Sequence, residues 1–197
     1  MDRLECLNGN ADLKTADKNL EKRLAEFQKN PTEYTETTNP ETVIKILEAT
    51  IEHQKTVLNL YNYLIKQNPS LKDCISLTAK SLYPNSEGSE TPARFDLVIE
   101  LDDKLIAAEI KSNPEHWGSA VSQVLRYAVI IRKNGLHVNN QHKQPTTILP
   151  IIVLSKAPED ENTQTAINES GFNIFIFNLP EDSELKELSL NRLLTLI

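Results

Sequence analysis

The chain has 197 residues, 25% of them charged and 39% hydrophobic, with a formal net charge of −7. This is the composition of an ordinary soluble globular domain with one well-buried core, and the negative balance argues against an indiscriminate nucleic-acid binder. No apolar run approaches the ~20 residues that span a bilayer, so no membrane association is expected. The opening residues lack the basic and apolar regions of a secretory signal. Two cysteines, Cys6 and Cys74, exclude a thiolate zinc site and fit a reducing, cytoplasmic setting.

In chain order, residues 11–30 have helical spacing, with Leu13, Leu20, Leu24 and Phe27 forming a narrow apolar stripe. They read as an outer helix, or as one that pairs with a second copy or another protein. Asn30-Pro31 ends it, and a polar linker follows. The domain division is therefore 1–39, helix and linker, and 40–197, the main domain. Pro40 opens a long helix to about Gln67, with Glu41 near its positive end. Its expected buried face is Ile44, Leu47, Ile51, Leu58, Tyr61 and Ile65. Gln54 falls within that face and needs a partner. Glu48 lies at the edge and Glu52 further round; each is either a solvated charge or a third carboxylate for a site. Asn68-Pro69 closes the helix, Cys74–Leu82 reads as a strand, and a Ser/Pro/Gly-containing loop leads on to residue 94.

Phe95–Leu101 and Leu105–Ile110 alternate with period two on either side of Asp102-Asp103-Lys104, so they read as a hairpin. A two-residue loop at Asp102-Asp103 pairs Leu101 with Lys104 and sets Asp96 opposite Glu109, with Cβ atoms roughly 5 Å apart. One face then carries Asp96, Glu109 and Lys111. The other carries Phe95, Leu97, Ile99, Ile106, Ala108 and Ile110. Two carboxylates this close repel unless a cation lies between them, and hard oxygen ligands favour Mg²⁺ completed by substrate phosphate. A lysine beside them can orient water or offset charge on phosphate. The pattern points to metal-assisted phosphodiester cleavage.

Ala120–Lys133 reads as a helix stopped by Asn134-Gly135, with Val121, Val124, Leu125, Ala128 and Ile131 as its core face. Gln123 and Tyr127, at i and i+4, share its flank and can hydrogen-bond a phosphate or the carboxylates. Lys111 to Lys143 holds five cations against one anion, together with His116, His137 and His142, which makes a local basic surface. His137 and His142 lie in a polar loop without the spacing of helical metal ligands. Thr147–Leu154 reads as a buried strand whose Pro150 argues for an edge or bulge. A short helix, a strand at Asn173–Leu179 and a closing helix complete the chain.

Asp96, Glu109-Ile110-Lys111 and Gln123-x-x-x-Tyr127, in the order helix, strand, hairpin, helix, strand, resemble the PD-(D/E)XK nuclease superfamily. The last element is similar to that of its RecB-type branch. The resemblance covers residues 40 to about 155. It implies an α/β, restriction-endonuclease-like mixed central sheet flanked by helices, here with an extra N-terminal helix. It also implies Mg²⁺ or Mn²⁺ on Asp96, Glu109 and the Ile110 carbonyl, Lys111 activating water, and a nucleic-acid substrate, DNA first. Arg94-Phe95-Asp96 departs from the family's Pro-Asp, no cysteine cluster supports an iron–sulfur version, and His53 is the upstream histidine. The competing expectation is a catalytically inactive module of this fold that binds a partner protein.

Overall fold

The computed structural model describes residues 21–22, 24–26, 28–29, 40–77, 95–102, 104–134, 136–138, 141–143, 147–179 and 181–197. The expected helix over 11–20, the linker, strand residues 78–82 and the loop up to residue 94 lie outside this set. Residues 21–22, 24–26 and 28–29 are helical, and Glu21 meets Lys55 at 2.8 Å. The main elements are α1 (Pro40–Gln67), β1 (Ile75–Leu77), β2 (Leu97–Glu100), β3 (Lys104–Lys111) and α2 (Trp117–Asn134). They continue with β4 (Leu136–Val138), β5 (Gln141–Lys143), β6 (Thr147–Lys156), α3 (Glu161–Glu169), β7 (Ile174–Asn178) and α4 (Leu190–Leu193).

Five strands form one mixed sheet in the order β1-β2-β3-β6-β7; β1, β2 and β3 are antiparallel, while β3, β6 and β7 are parallel. The parallel pairs need long crossovers, which the chain supplies as α2 with the β4–β5 hairpin and then as α3. Being covered on both faces, β3 reads as nearly continuous apolar sequence and is buried from Leu105 to Ile110. Leu97, Ile99, Ile106, Ala108 and Ile110 face α1, meeting Val57, Leu60, Tyr61 and Leu64. On the opposite side Val98, Leu105 and Ala107 meet Ala120, Val124, Ala128 and Ile131 of α2 and Ile167 of α3. The architecture is thus α/β, a mixed sheet between helical layers.

Several sequence expectations need correction. The buried stripe of α1 matches the expected one in part: Ile51 and Tyr61 are buried as expected, together with Val57, Leu60 and Leu64, whereas Ile44, Leu47, Leu58 and Ile65 are only half-buried. On α2, Leu125 is 47% exposed rather than core. Pro150 is not on an edge strand, since β6 lies between β3 and β7. Its nitrogen shares a side with that of Ile152, which donates to the Asn173 carbonyl at 2.9 Å where β7 pairing begins. Two residues earlier that side needs no ladder donor, so proline is tolerated. The polar loop around His137 and His142 contains a two-stranded ribbon in which these residues are register partners. The tail is a 3₁₀ turn (Lys186–Leu188) and the single-turn α4, parted by extended Ser189, which bridges to Ile176.

Candidate active site

The hairpin has the expected register. Leu101 and Lys104 exchange backbone hydrogen bonds of 2.8 and 3.3 Å across the two-residue loop, and pairing runs from Glu100–Leu105 to Leu97–Ala108. One more step sets Asp96 beside Glu109, but Asp96 leaves the pleat. Its N–H donates at 3.0 Å to the Ala108 carbonyl, the residue paired with Leu97. Its carboxylate reaches over the end of β3, where Oδ2 accepts the Ile110 N–H at 2.6 Å. A break of this kind, in the manner of a β-bulge, re-aims side chains. Phe95 consequently packs in the α2-side core, and Asp96 meets His53 of α1, with Nε2 and Oδ1 3.1 Å apart. The expectation of a simple shared face for Asp96 and Glu109 is corrected accordingly, and so is the placing of Phe95 with Leu97.

Glu109 stays in the pleat and faces α2. It is 5% exposed, the buried charged residue of the described core. The Lys111 ammonium donates to Glu109 Oε1 at 2.8 Å and to Gln123 Oε1 at 2.7 Å. The helix and the strand are thereby tied through one lysine. Burial, and after it the charge of Asp96, pushes the Glu109 carboxyl from near 4.5 up to about 7, against the charge and hydrogen bond of Lys111 and the charge of His53. For His53, burial opposes protonation, yet the hydrogen bond to Asp96 and the charges of Asp96 and Glu109 outweigh it and the opposing Lys111. Its pKa is held above the ordinary 6.5.

No protein-family model matches the chain, and no curated protein is significantly similar to it in sequence.

Of the residues singled out from sequence, Asp96, Glu109, Lys111 and Gln123 come together, and Ile110 joins through its backbone N–H. Tyr127 does not: its ring stands edge-on to Phe95, centroids 5.0 Å apart at 81°, and among the described residues its hydroxyl makes no hydrogen bond to the cluster. Glu48 and Glu52 are exposed on α1, and no contact among the described residues joins either to Asp96 or Glu109. Gln54 keeps the need seen in the sequence, since its buried Oε1 has no partner among the described residues. His53 is the contributor to which the sequence pattern gives no role, and Phe95 is one that it puts on the opposite face. His53 sits four residues before buried Val57 on the stripe that faces the sheet, and that spacing is the signal that finds it.

The donor set fits a divalent cation. The Asp96 carboxylate accepts the N–H of Ile110, the residue next to Glu109, so two carboxylates stand at the open end of the hairpin beside the Lys111 ammonium. Among the described residues no three His, Cys, Asp or Glu side chains converge as a ready-made cage, and Mg²⁺ characteristically takes one or two carboxylates and completes its shell with water and phosphate.

Proposed function

We propose that this chain is a metal-dependent nuclease of the PD-(D/E)XK type, with the restriction-endonuclease-like fold that this name implies, hydrolysing phosphodiester bonds in DNA. The observation that carries the reading is Lys111 held between Glu109 and Gln123 at the end of the strand over which Asp96 reaches. Asp96 and Glu109 would hold Mg²⁺ or Mn²⁺, with the Ile110 carbonyl as a further ligand. When bound, such an ion polarises the phosphoryl group and supplies a nucleophile near neutral pH. Lys111, its ammonium fixed by two acceptors, orients the attacking water and offsets charge that builds on the phosphoryl oxygens. His53 steadies Asp96 from the α1 side.

The test is cleavage of single- and double-stranded DNA and of RNA with Mg²⁺ or Mn²⁺, against EDTA and against Lys111→Ala. DNA is cut only by the metal-loaded wild type. Equal residual cleavage by Lys111→Ala and Asp96→Ala would mark a contaminant and overturn the reading.

A second reading, an inactive module that binds another protein, is favoured by exposed apolar residues on α2, Leu125 at 47% and Val129 at 64%. Metal separates the two, because a true site raises thermal stability by mass action and an inactive module shows no change.

The substrate strand has a natural path along α2, which carries no acidic residue in its 18 positions. Arg126 and Lys133 are exposed and lie on the flank that Gln123 begins, roughly 5 and 15 Å further along the axis at 1.5 Å per residue. Neutralising both in Arg126→Gln/Lys133→Gln raises KM about tenfold, lowers the salt slope of binding by about two, and leaves kcat within about twofold. Filter binding across salt concentrations, paired with initial rates, checks this.

A further inference from the structure

The part of Tyr127 follows from where Phe95 sits. A regular pleat continued backwards from Leu97 would bury Phe95 beside Leu97 and Ile99, under α1, and would point Asp96 at α2. The structure has the reverse. Phe95 is fully buried with Val98 and the core residues of α2, while Asp96 meets His53 on α1. The backbone records the switch: the Asp96 N–H bonds the Ala108 carbonyl, and the Ile110 N–H takes the Asp96 carboxylate as its acceptor. Among the residues that the Phe95 ring meets on the α2 side is Tyr127, the two rings edge to face, a geometry that favours one ring orientation over others.

We propose that Tyr127 is a positioning residue, holding Phe95 in the α2-side core and through it aiming the Asp96 carboxylate over the end of β3. Its ring does this work and its hydroxyl does not. Tyr127 thus differs from Gln123, which touches Lys111 directly. The activity consequences rest on the nuclease reading above, but the structural consequence does not: if Phe95 slips, the Asp96 carboxylate swings away and the Ile110 N–H loses its acceptor.

The test uses the whole 197-residue chain, free of metal, and amide hydrogen exchange at Ile110, with the Ile106 amide of the same strand as internal reference. Asp96→Ala sets the rate of an Ile110 amide without its acceptor. Tyr127→Leu, which keeps bulk and removes the ring, speeds Ile110 exchange at least tenfold towards that limit and leaves Ile106 within about twofold. Tyr127→Phe exchanges like wild type. Ile167→Val, a core truncation on α3, leaves the Ile110-to-Ile106 ratio unchanged and controls for general loosening. In cleavage assays Tyr127→Leu lowers kcat tenfold or more with KM within about twofold, and Tyr127→Phe restores wild-type kcat. Unchanged Ile110 exchange in Tyr127→Leu overturns the proposal, as does loss of cleavage in Tyr127→Phe, which would assign the hydroxyl to substrate. Wild type that cleaves nothing refutes the nuclease reading instead, and the exchange result still decides the clamp.

Discussion

Glu109→Gln abolishes cleavage and at the same time makes the metal-free protein harder to unfold at pH 8. Glutamine keeps an acceptor for the Lys111 ammonium, now 2.8 Å from Glu109 Oε1, and removes a buried charge that desolvation and Asp96 both disfavour. The reaction loses a carboxylate of the proposed ion site, with an expected fall in kcat of about 10²–10⁴-fold. Lys111→Ala is equally inactive but moves stability the other way, because it strips a buried carboxylate of its cation, a change that typically costs about 3–5 kcal/mol where the charge persists. Protonation of Glu109 caps that loss. Thermal melts at pH 8 and single-turnover cleavage on the same samples check both signs. A Glu109→Gln protein that melts lower and still cleaves would reduce the cluster to a structural ion group, and the proposed chemistry would fall with it.

Sequence pattern captured what local rules control. The tight turn that brings Leu101 back to Lys104 fixes the register of β2 on β3, and from it the pairing of Leu97 with Ala108 follows. The step of two from Glu109 to Lys111 and the following helix bring in Gln123. What escaped depends on tertiary contacts. Nothing in the alternation of Phe95–Leu101 announces that the pleat breaks at Asp96, since the cause is a core site for the Phe95 ring beside Tyr127. Apolar residues occur on several sides of α1, so the pattern finds Ile51 and Tyr61 but not Val57, Leu60 and Leu64, which the sheet selects. Pro150 points to an edge or a bulge, yet β6 is an interior strand and only its first residues lack a β7 neighbour.

The metal-free protein loses stability as pH rises from 5 to 8, and Mg²⁺ restores it only in the upper part of that range. Glu109 has a folded pKa of about 7 against an ordinary 4.5, so between those values the folded protein holds a proton that the unfolded chain has released. Its contribution is complete below about 4.5 and is lost as pH climbs through 7. His53, also raised, has the same sign: its contribution is present below 6.5 and fades as pH passes its folded value. The charged groups around the pair are Asp96, which favours protonation of both, and Lys111, which opposes it. The Glu109 share is on the order of 2–3 kcal/mol at 1.36 kcal/mol per unit, or about 5–10 °C in Tm for a chain of this size. A divalent ion competes with these protons. Its stabilisation is therefore small at pH 5.5 and full at pH 8, and Glu109→Gln flattens the metal-free profile and removes the metal increment. Differential scanning calorimetry with millimolar Mg²⁺ or EDTA at the two pH values measures it. An increment equal at both would mean that the ion binds where no proton is displaced, away from Glu109.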